Sequence, residues 1–431
     1  MNEQSLTAFL IQKTLLVLAV FGGVMGVVAL TTLVERRVAG FIQDRLGPNR
    51  VGPFGILQPM ADGLKNFLKE ETLPATSAKP YFLLGPILSL APALVTFAVV
   101  PFAAPLPTPW GVVEMIVADV PIGILYILAL SSLGVYGVVL GGWASNNKFS
   151  FLGALRASAQ MVSYEVALGL SIVVVLMMAG NVTLTEMVWQ QQQLGFWYAF
   201  PLSLAFILFT VSAFAETNRL PFDMPEAESE LVGGFHTEYS GMKYAMYPMG
   251  EYAHMLTSSA LMATLFFGGW DIPFWNGDNA FLHEGMWISG FAADGTPVAA
   301  QLAWWKTLLT FLSFAAKTYF FVLVYIWVRW TVPRFRYDQI MQLGWKVMLP
   351  TALAYIMVVA LTILTLDQLG IAYGFAFGLI LTVVSGICTA IFLYVVDRGR
   401  ILTGASYGAR ERLRAASLAA GREAVTAHGR D

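Results

Sequence analysis

Six carboxylates fall between Glu216 and Glu238 in the run A-E-T-N-R-L-P-F-D-M-P-E-A-E-S-E-L-V-G-G-F-H-T-E-Y-S-G: Glu216, Asp223, Glu226, Glu228, Glu230 and Glu238. Acids at this density can exchange protons or respond to a change of charge beside them. The chain as a whole is 57% hydrophobic and only 12% charged, so solubility does not account for the cluster. Pro221 and Pro225 interrupt whatever helix leads in. Asp223 stands three residues ahead of Glu226 with Pro225 between them, which predicts an N-terminal capping box. That reading lets two acids complement the positive end of a short helix, but it leaves Glu228 and Glu230 unexplained.

Further charges lie inside apolar stretches. Counting about 1.5 Å per residue from Arg156, Glu165 sits about 13 Å into its segment, with Tyr164 beside it. Lys317 is similarly central between Lys306 and Arg329. An unpaired charge at mid-bilayer costs at least about 2.5–3.5 kcal/mol, so these groups must pair, face protein or water, or become neutral. A proton-relay role fits Glu165 and Tyr164, whereas Lys317 fits a structural ion pair as well as a functional one. Asp119, Glu216 and Glu251 fall at segment ends, and Glu251 and His254 share a helix face. E-x-x-H resembles half of a di-metal helix motif, but no second copy exists and no metal site is expected. Acids spread over several helices could form a water-linked track, with the acidic loop as its mouth and Arg36, Lys65, Arg329 and Arg334 on the same face.

The elements that must position these residues are membrane helices. A charged fraction half that of ordinary soluble domains and a mean hydropathy of +0.66 point to the bilayer. About nine stretches reach the roughly 20 apolar residues needed to cross: 14–34, 82–103, 121–142, 155–179, 198–218, 250–269, 307–329, 347–366 and 372–396. The first is too long for a signal peptide and is followed by Glu35-Arg36-Arg37 rather than small residues. Between residues 54 and 71, Ile56, Leu57, Met60, Leu64, Phe67 and Leu68 form one helical stripe, predicting a helix in the interface plane. All but Lys13, Lys306 and Lys317 of the 25 basic residues fall in alternate connections and the tail, which predicts an outer N-terminus and a cytoplasmic C-terminus. Gly22-x-x-x-Gly26 and Gly374-x-x-x-Gly378 would permit close helix packing. The expected architecture is therefore an all-α polytopic bundle of tilted helices plus an interfacial amphipathic helix. It divides into a bundle over 1–396, with cytoplasmic loops at 35–80 and 216–250, and an Arg-rich cytoplasmic tail at 397–431 that would touch anionic lipid or a partner. The single cysteine, Cys388, allows neither a disulfide framework nor a Cys-ligated zinc or iron–sulfur site. No nucleotide-binding loop is legible and no nucleic-acid partner is expected, so electrons used here would come from another polypeptide.

Four blocks carry a family resemblance: E-R-R-V-A-G-F-I-Q-D-R-L-G-P-N-R-V-G-P with L-Q-P-M-A-D-G-L-K; G-G-W-A-S-N-N-K through R-A-S-A-Q-M-V-S-Y-E; the acidic run; and V-R-W-T-V-P-R-F-R-Y-D-Q-I-M-Q-L-G-W-K. From about Leu15 to Pro350 the chain resembles the membrane subunit at the quinone site of proton-pumping NADH:quinone oxidoreductase, respiratory complex I (the H subunit in bacteria, subunit 1 in mitochondria). The resemblance implies a helix bundle in the bacterial plasma (inner) membrane, docked beneath a hydrophilic arm. With that arm's quinone-site subunits, and beside adjacent small membrane subunits, it would enclose a quinone chamber. Ubiquinone or menaquinone would be the substrate, with no flavin, iron–sulfur cluster or metal in this chain. Matching positions imply that Arg36, Asp62, Lys65, Glu226, Glu228, Glu230, Arg329 and Arg334 line or border the chamber. The family's buried acids map onto Glu165, Glu216 and Glu251, with Tyr164 adjoining. The groups that protonate the quinone would belong to a partner, so no complete catalytic site is expected here. The outer loop at 270–306 is longer than the resemblance leads one to expect, and the ninth stretch and the tail extend beyond the shorter members.

Two other readings compete. A quinone-independent subunit of a membrane-bound hydrogenase would share the buried charges. A secondary transporter would show paired half-chain repeats, which the sequence lacks.

Overall fold

Long apolar runs leave the backbone of this chain one way to satisfy its hydrogen bonds inside a bilayer, which is to coil into helices. A computed structural model describes residues 3–109, 111–273, 275, 277–283, 286–291 and 297–399. Its helices are α1 (Glu3–Ile42), α2 (Gln58–Leu68), α3 (Lys79–Val95), α4 (Gly123–Ala144), α5 (Lys148–Ala179), α6 (Leu184–Leu194), α7 (Ser203–Glu216), α8 (Glu228–Leu231), α9 (Gly241–Phe266), α10 (Trp304–Thr331), α11 (Tyr337–Gln342), α12 (Leu349–Gln368) and α13 (Phe375–Gly399). A six-residue π-helical stretch, Leu343–Met348, joins α11 to α12.

Seven helical stretches among the described residues are long and apolar enough to span: those of α1, α3, α4, α5, α10, α11–α12 and α13. The other two stretches expected from the sequence fall on α7, which is apolar but only 14 residues long, and on α9, which carries Lys243, Glu251 and His254. α5 and α9 bury many small and hydroxyl-bearing residues, α9 throughout its second half, while α5 keeps one exposed apolar stripe at Leu155, Val162, Val166 and Val173. Helices α3 and α4 meet backbone to backbone: a methyl on Gly137 would lie 2.6 Å from the Ser89 nitrogen, and one on Gly85 would lie 3.0 Å from the Gly141 Cα. Close approach through small residues is how helices associate where lipid removes the hydrophobic drive. The expected first glycine pair does not serve this purpose, since added methyls on Gly22 and Gly26 would meet nothing within 4 Å. Gly378 does, against Phe196 and Leu194.

The amphipathic helix is shorter than the stripe that predicted it. Pro59 starts α2 and the turn Pro53–Gly55 precedes it, leaving 11 residues. α2 packs on α1 and α9, while Met60, Leu64, Phe67 and Leu68 stay exposed. Small sheets cover the opposite end: β1 (Leu106–Thr108) with β2 (Gly111–Val113), and β3 (Phe281–His283), β4 (Met286–Phe291) and β5 (Pro297–Ala299), all antiparallel. The long loop expected at 270–306 is thus partly a three-stranded sheet, anchored by a stack of Trp189 on Phe281. The Arg-rich tail from residue 400 onward lies outside the described residues.

Candidate functional site

The acidic run is held by α5. Gln160, fully buried, donates Nε2 to the carbonyls of Ala215 and Phe222 at 2.8 Å and to Asn218 Oδ1 at 3.1 Å, so one amide fixes the turn that leaves α7. Nearer the start of α5, the Ser150 hydroxyl donates to the Phe235 carbonyl at 2.7 Å. Gly234 adopts φ +61°, and a Cβ there would lie 1.6 Å from the Pro225 carbonyl oxygen, so only glycine lets the loop close on itself. The predicted capping box does not form. Asp223 precedes a turn rather than a helix, and α8 begins at Glu228 behind Ala227 without a side-chain cap. Asp223 pairs with Arg334 instead, Oδ2 to Nη2 at 2.7 Å, because a guanidinium offers a carboxylate a stronger bond than a neutral amide does.

Other charges at this end also pair across elements. Arg36 Nη1 meets Asp62 Oδ2 at 2.5 Å, and Gln58 donates to the second oxygen. Arg156 meets Glu230 at 2.6 Å on the surface, Asn147 donates to Glu238 at 2.6 Å, and His236 Nδ1 lies 3.8 Å from Glu226 Oε1. Lys65 is exposed. The side chain of Glu228 lies outside the described residues. Asp223 is held up at about 6, first by burial and then by the nearby Glu226 charge, with Arg334 opposing.

The hub of this end is Glu35, which sequence reasoning did not select. Only 3% exposed, it accepts from Arg219 Nη1 at 2.6 Å through one oxygen and from Arg329 Nη1 through the other. Arg219 is 5% exposed and lies 4.0 Å over the Tyr252 ring. Two guanidiniums on one carboxylate leave a surplus positive charge, and Glu251 feels both Arg219 and Arg329 as well as the acids Glu226 and Asp223.

Glu251 and His254 open from α9 onto a small cavity of about 30 Å³, also lined by Ser89, Ser131, Tyr247 and Glu216. A polar space of that size accommodates a water. Glu216 hydrogen-bonds with Ser131 and interacts electrostatically with Glu165 across the α5–α7 interface. Glu165 Oε1 is buried with no hydrogen-bond partner among the described residues, the kind of oxygen that a proton, a water or a neighbouring chain completes. Three of the four predicted relay residues therefore follow one another. Tyr164 turns away: its buried hydroxyl donates to the Ile340 carbonyl at 3.0 Å. Lys317 lies apart, donating to the carbonyls of Phe267, Gly269 and Asp271 at the C-terminal end of α9 rather than to a mid-membrane acid.

A polytopic helical membrane protein with a charged, interlocked rim at one end and buried carboxylates leading inward is the class that fold and site define. A family model described as NADH dehydrogenase matches residues 14–360, and the chain belongs to that family. It is 46% identical over 356 residues to an H subunit (H 1) of the NADH-quinone oxidoreductase of Cytophaga hutchinsonii, covering 83% of this chain and 98% of that one. It is equally 46% identical over 359 residues to the NADH-quinone oxidoreductase H subunit of Flavobacterium psychrophilum, with 83% and 98% covered. NADH-quinone oxidoreductase subunit 8 of Rhodothermus marinus is 45% identical over 362 residues, with 83% and 96% covered.

Proposed function

We propose that this chain is the membrane subunit of a proton-translocating NADH:quinone oxidoreductase, forming part of the quinone chamber and coupling quinone reduction to proton movement through buried carboxylates. The observation that carries this reading is the continuity from Asp223 and Glu226, through Glu251 and its cavity, to Glu216 and Glu165. Hydrophilic-arm subunits would deliver electrons and protonate the headgroup. Arg36, Asp62, Lys65, Glu226, Glu228, Glu230, Arg329 and Arg334 border the chamber from the membrane side. The exposed apolar stripe of α2 beside α1 and α9 suits entry of an isoprenoid tail, that of ubiquinone or menaquinone. The paired rim faces the cytoplasm, with the N-terminus outside, the bundle ending near residue 396 and the tail inside.

The physics of coupling is electrostatic. A unit charge gained or lost about 10 Å from a carboxylate changes its energy by about 1.7 kcal/mol at an effective dielectric of about 20. That is more than tenfold in proton occupancy. The Glu35–Arg219–Arg329 hub would carry such a change at the rim to Glu251, which feels both guanidiniums.

Glu216→Gln and Glu251→Gln in the assembled complex test this. Each is expected to depress proton pumping per quinone reduced, read as acridine-dye quenching against NADH oxidation in membrane vesicles. Wild-type pumping at wild-type turnover in both variants overturns the assignment. Subunits that copurify with the chain decide between this reading and a hydrogenase or transporter.

A further inference from the structure

Helix α13 begins beyond the stretch matched by the family model, and its ties to the bundle change in kind along its length. Toward the β-sheet end it is tight: Phe375 stacks on Phe196 with centroids 4.6 Å apart, and Tyr373, just before it, shares a 2.9 Å hydrogen bond with Tyr198. In its middle, Ser385 and Thr389 meet the Ser203 hydroxyl at 3.1 and 2.9 Å, and Ser385 meets Tyr355 at 2.7 Å. Past Thr389 the helix stands away from α12, leaving a groove of about 430 Å³ along Pro350, Ala354, Val358, Ile391 and Val395.

Among the described residues the groove has one charged residue, placed at its mouth. Lys346, in the π-helical stretch before α12, is exposed and makes no ion pair or hydrogen bond among the described residues. Beside it, Trp345 is 52% exposed with its indole nitrogen 3.0 Å from the Ser163 hydroxyl. An apolar slot parallel to the helices, an ammonium at its end and an aromatic at the same level match three parts of one molecule: acyl chain, phosphate and interfacial glycerol region.

We propose that the α12–α13 groove is a binding site for an anionic glycerophospholipid, one acyl chain lying between the helices and the phosphate on Lys346. Apolar packing does not select among lipids, because lipid tails are as apolar as the groove. Selection comes from the positive charge of Lys346. The lipid fills the cleft, so α13 is held to the bundle on the rim side by a non-protein component. The leaflet is the one on the side of the acidic loop, since Lys346 and α11 lie at that end. This assignment is independent of quinone chemistry.

The test is retention of lipid by the assembled, detergent-purified complex reconstituted with phosphatidylglycerol or phosphatidylcholine. A phosphatidylglycerol carrying a diazirine in its acyl chain is photolysed and the cross-linked peptides are mapped. Labelling is expected on peptides spanning 350–358 and 388–396. It should fall about fivefold in Lys346→Gln, the worth of one lysine near a membrane surface, and recover in Lys346→Arg. Ala354→Trp, which narrows the slot while leaving the charge, should abolish labelling at both peptides. The diazirine analogue of phosphatidylcholine should label no better than Lys346→Gln does with phosphatidylglycerol. Equal labelling by both lipids in the wild type would overturn the proposal. So would a site protected by another subunit, or one protected by the residues beyond 399 and exposed when they are removed.

Discussion

Removing the charge of Glu35 isolates the hub from the rest of the rim. Glu35→Gln keeps the shape of the side chain but leaves Arg219, 5% exposed, facing a neutral amide. Stranding a buried charge in this way costs about 3–5 kcal/mol. Arg329, with its side chain 32% exposed, adds less than about 1 kcal/mol because water compensates it. By contrast Arg36→Gln opens a pair whose side chains are 51% and 32% exposed, and should cost less than about 1 kcal/mol. Glu35→Leu combined with Arg219→Leu should recover most of the loss, since only the partly exposed Arg329 then lacks its carboxylate. The assay is the thermal midpoint at which this subunit dissociates from the assembled complex, measured for all these variants at one salt concentration. The refuting result is an Arg36→Gln loss equal to or larger than that of Glu35→Gln, or a double variant worse than the single. Either would mean that Glu35 and Arg219 contribute by packing and not by their charge.

Three further outcomes follow from the same site. Gly234→Ala forces a methyl against the Pro225 carbonyl at a left-handed φ, so the acidic loop must open; assembled subunit in membranes should fall several-fold on immunoblots. Gln160→Leu deletes the amide that serves Ala215, Asn218 and Phe222 and should cost about 2–3 kcal/mol, visible as a lower dissociation midpoint with the spans intact by circular dichroism. Asp223, at about 6 in the folded chain against an ordinary 3.8, binds its proton more tightly folded than unfolded. Its stabilising contribution is therefore complete below about pH 4 and is lost as pH rises through about 6, by at most about 3 kcal/mol. In Asp223→Asn the midpoint should lose that part of its slope between pH 4 and 7, and an unchanged slope would place the titration elsewhere.

Much of this architecture is written in the sequence because a bilayer is an unforgiving solvent. Any run of apolar residues long enough to cross must be helical, and the intramembrane Glu165 announces itself by its cost. α9 shows where the rule weakens. Its Glu251, Tyr252 and His254 are sheltered by neighbouring helices, so a span-length helix can be too polar for a hydropathy criterion. The four family blocks gave the rim, yet they gave it residue by residue and without its pairing. Arg334 is near enough in sequence to the end of α10 to be placed on the right face, but local spacing alone points its partner Asp223 to a helix cap. Local chemistry proposes a partner three residues away; tertiary structure supplied a guanidinium from another element, and the stronger bond won.

Glu35 is the sharper case. It follows an apolar run directly and precedes two arginines, which is how a residue marking the end of a membrane span looks, and such residues ordinarily face headgroups. Its partners lie 184 and 294 positions further along the chain. No periodicity or motif spacing reaches that far, whereas burial does. A carboxylate 3% exposed has to be matched by cations brought in from other helices, and the two that meet it come from the connection after α7 and the end of α10. Those are the same two elements that lead into the acidic run and Arg334. The hub therefore couples α1, α7, α9 and α10 through charge at the place where their loops converge, and a perturbation of any one of these elements changes the field at Glu251. Coupling of that kind depends on several helices sharing one cluster, which is why no single stretch of the chain, however rich in acids, could display it alone.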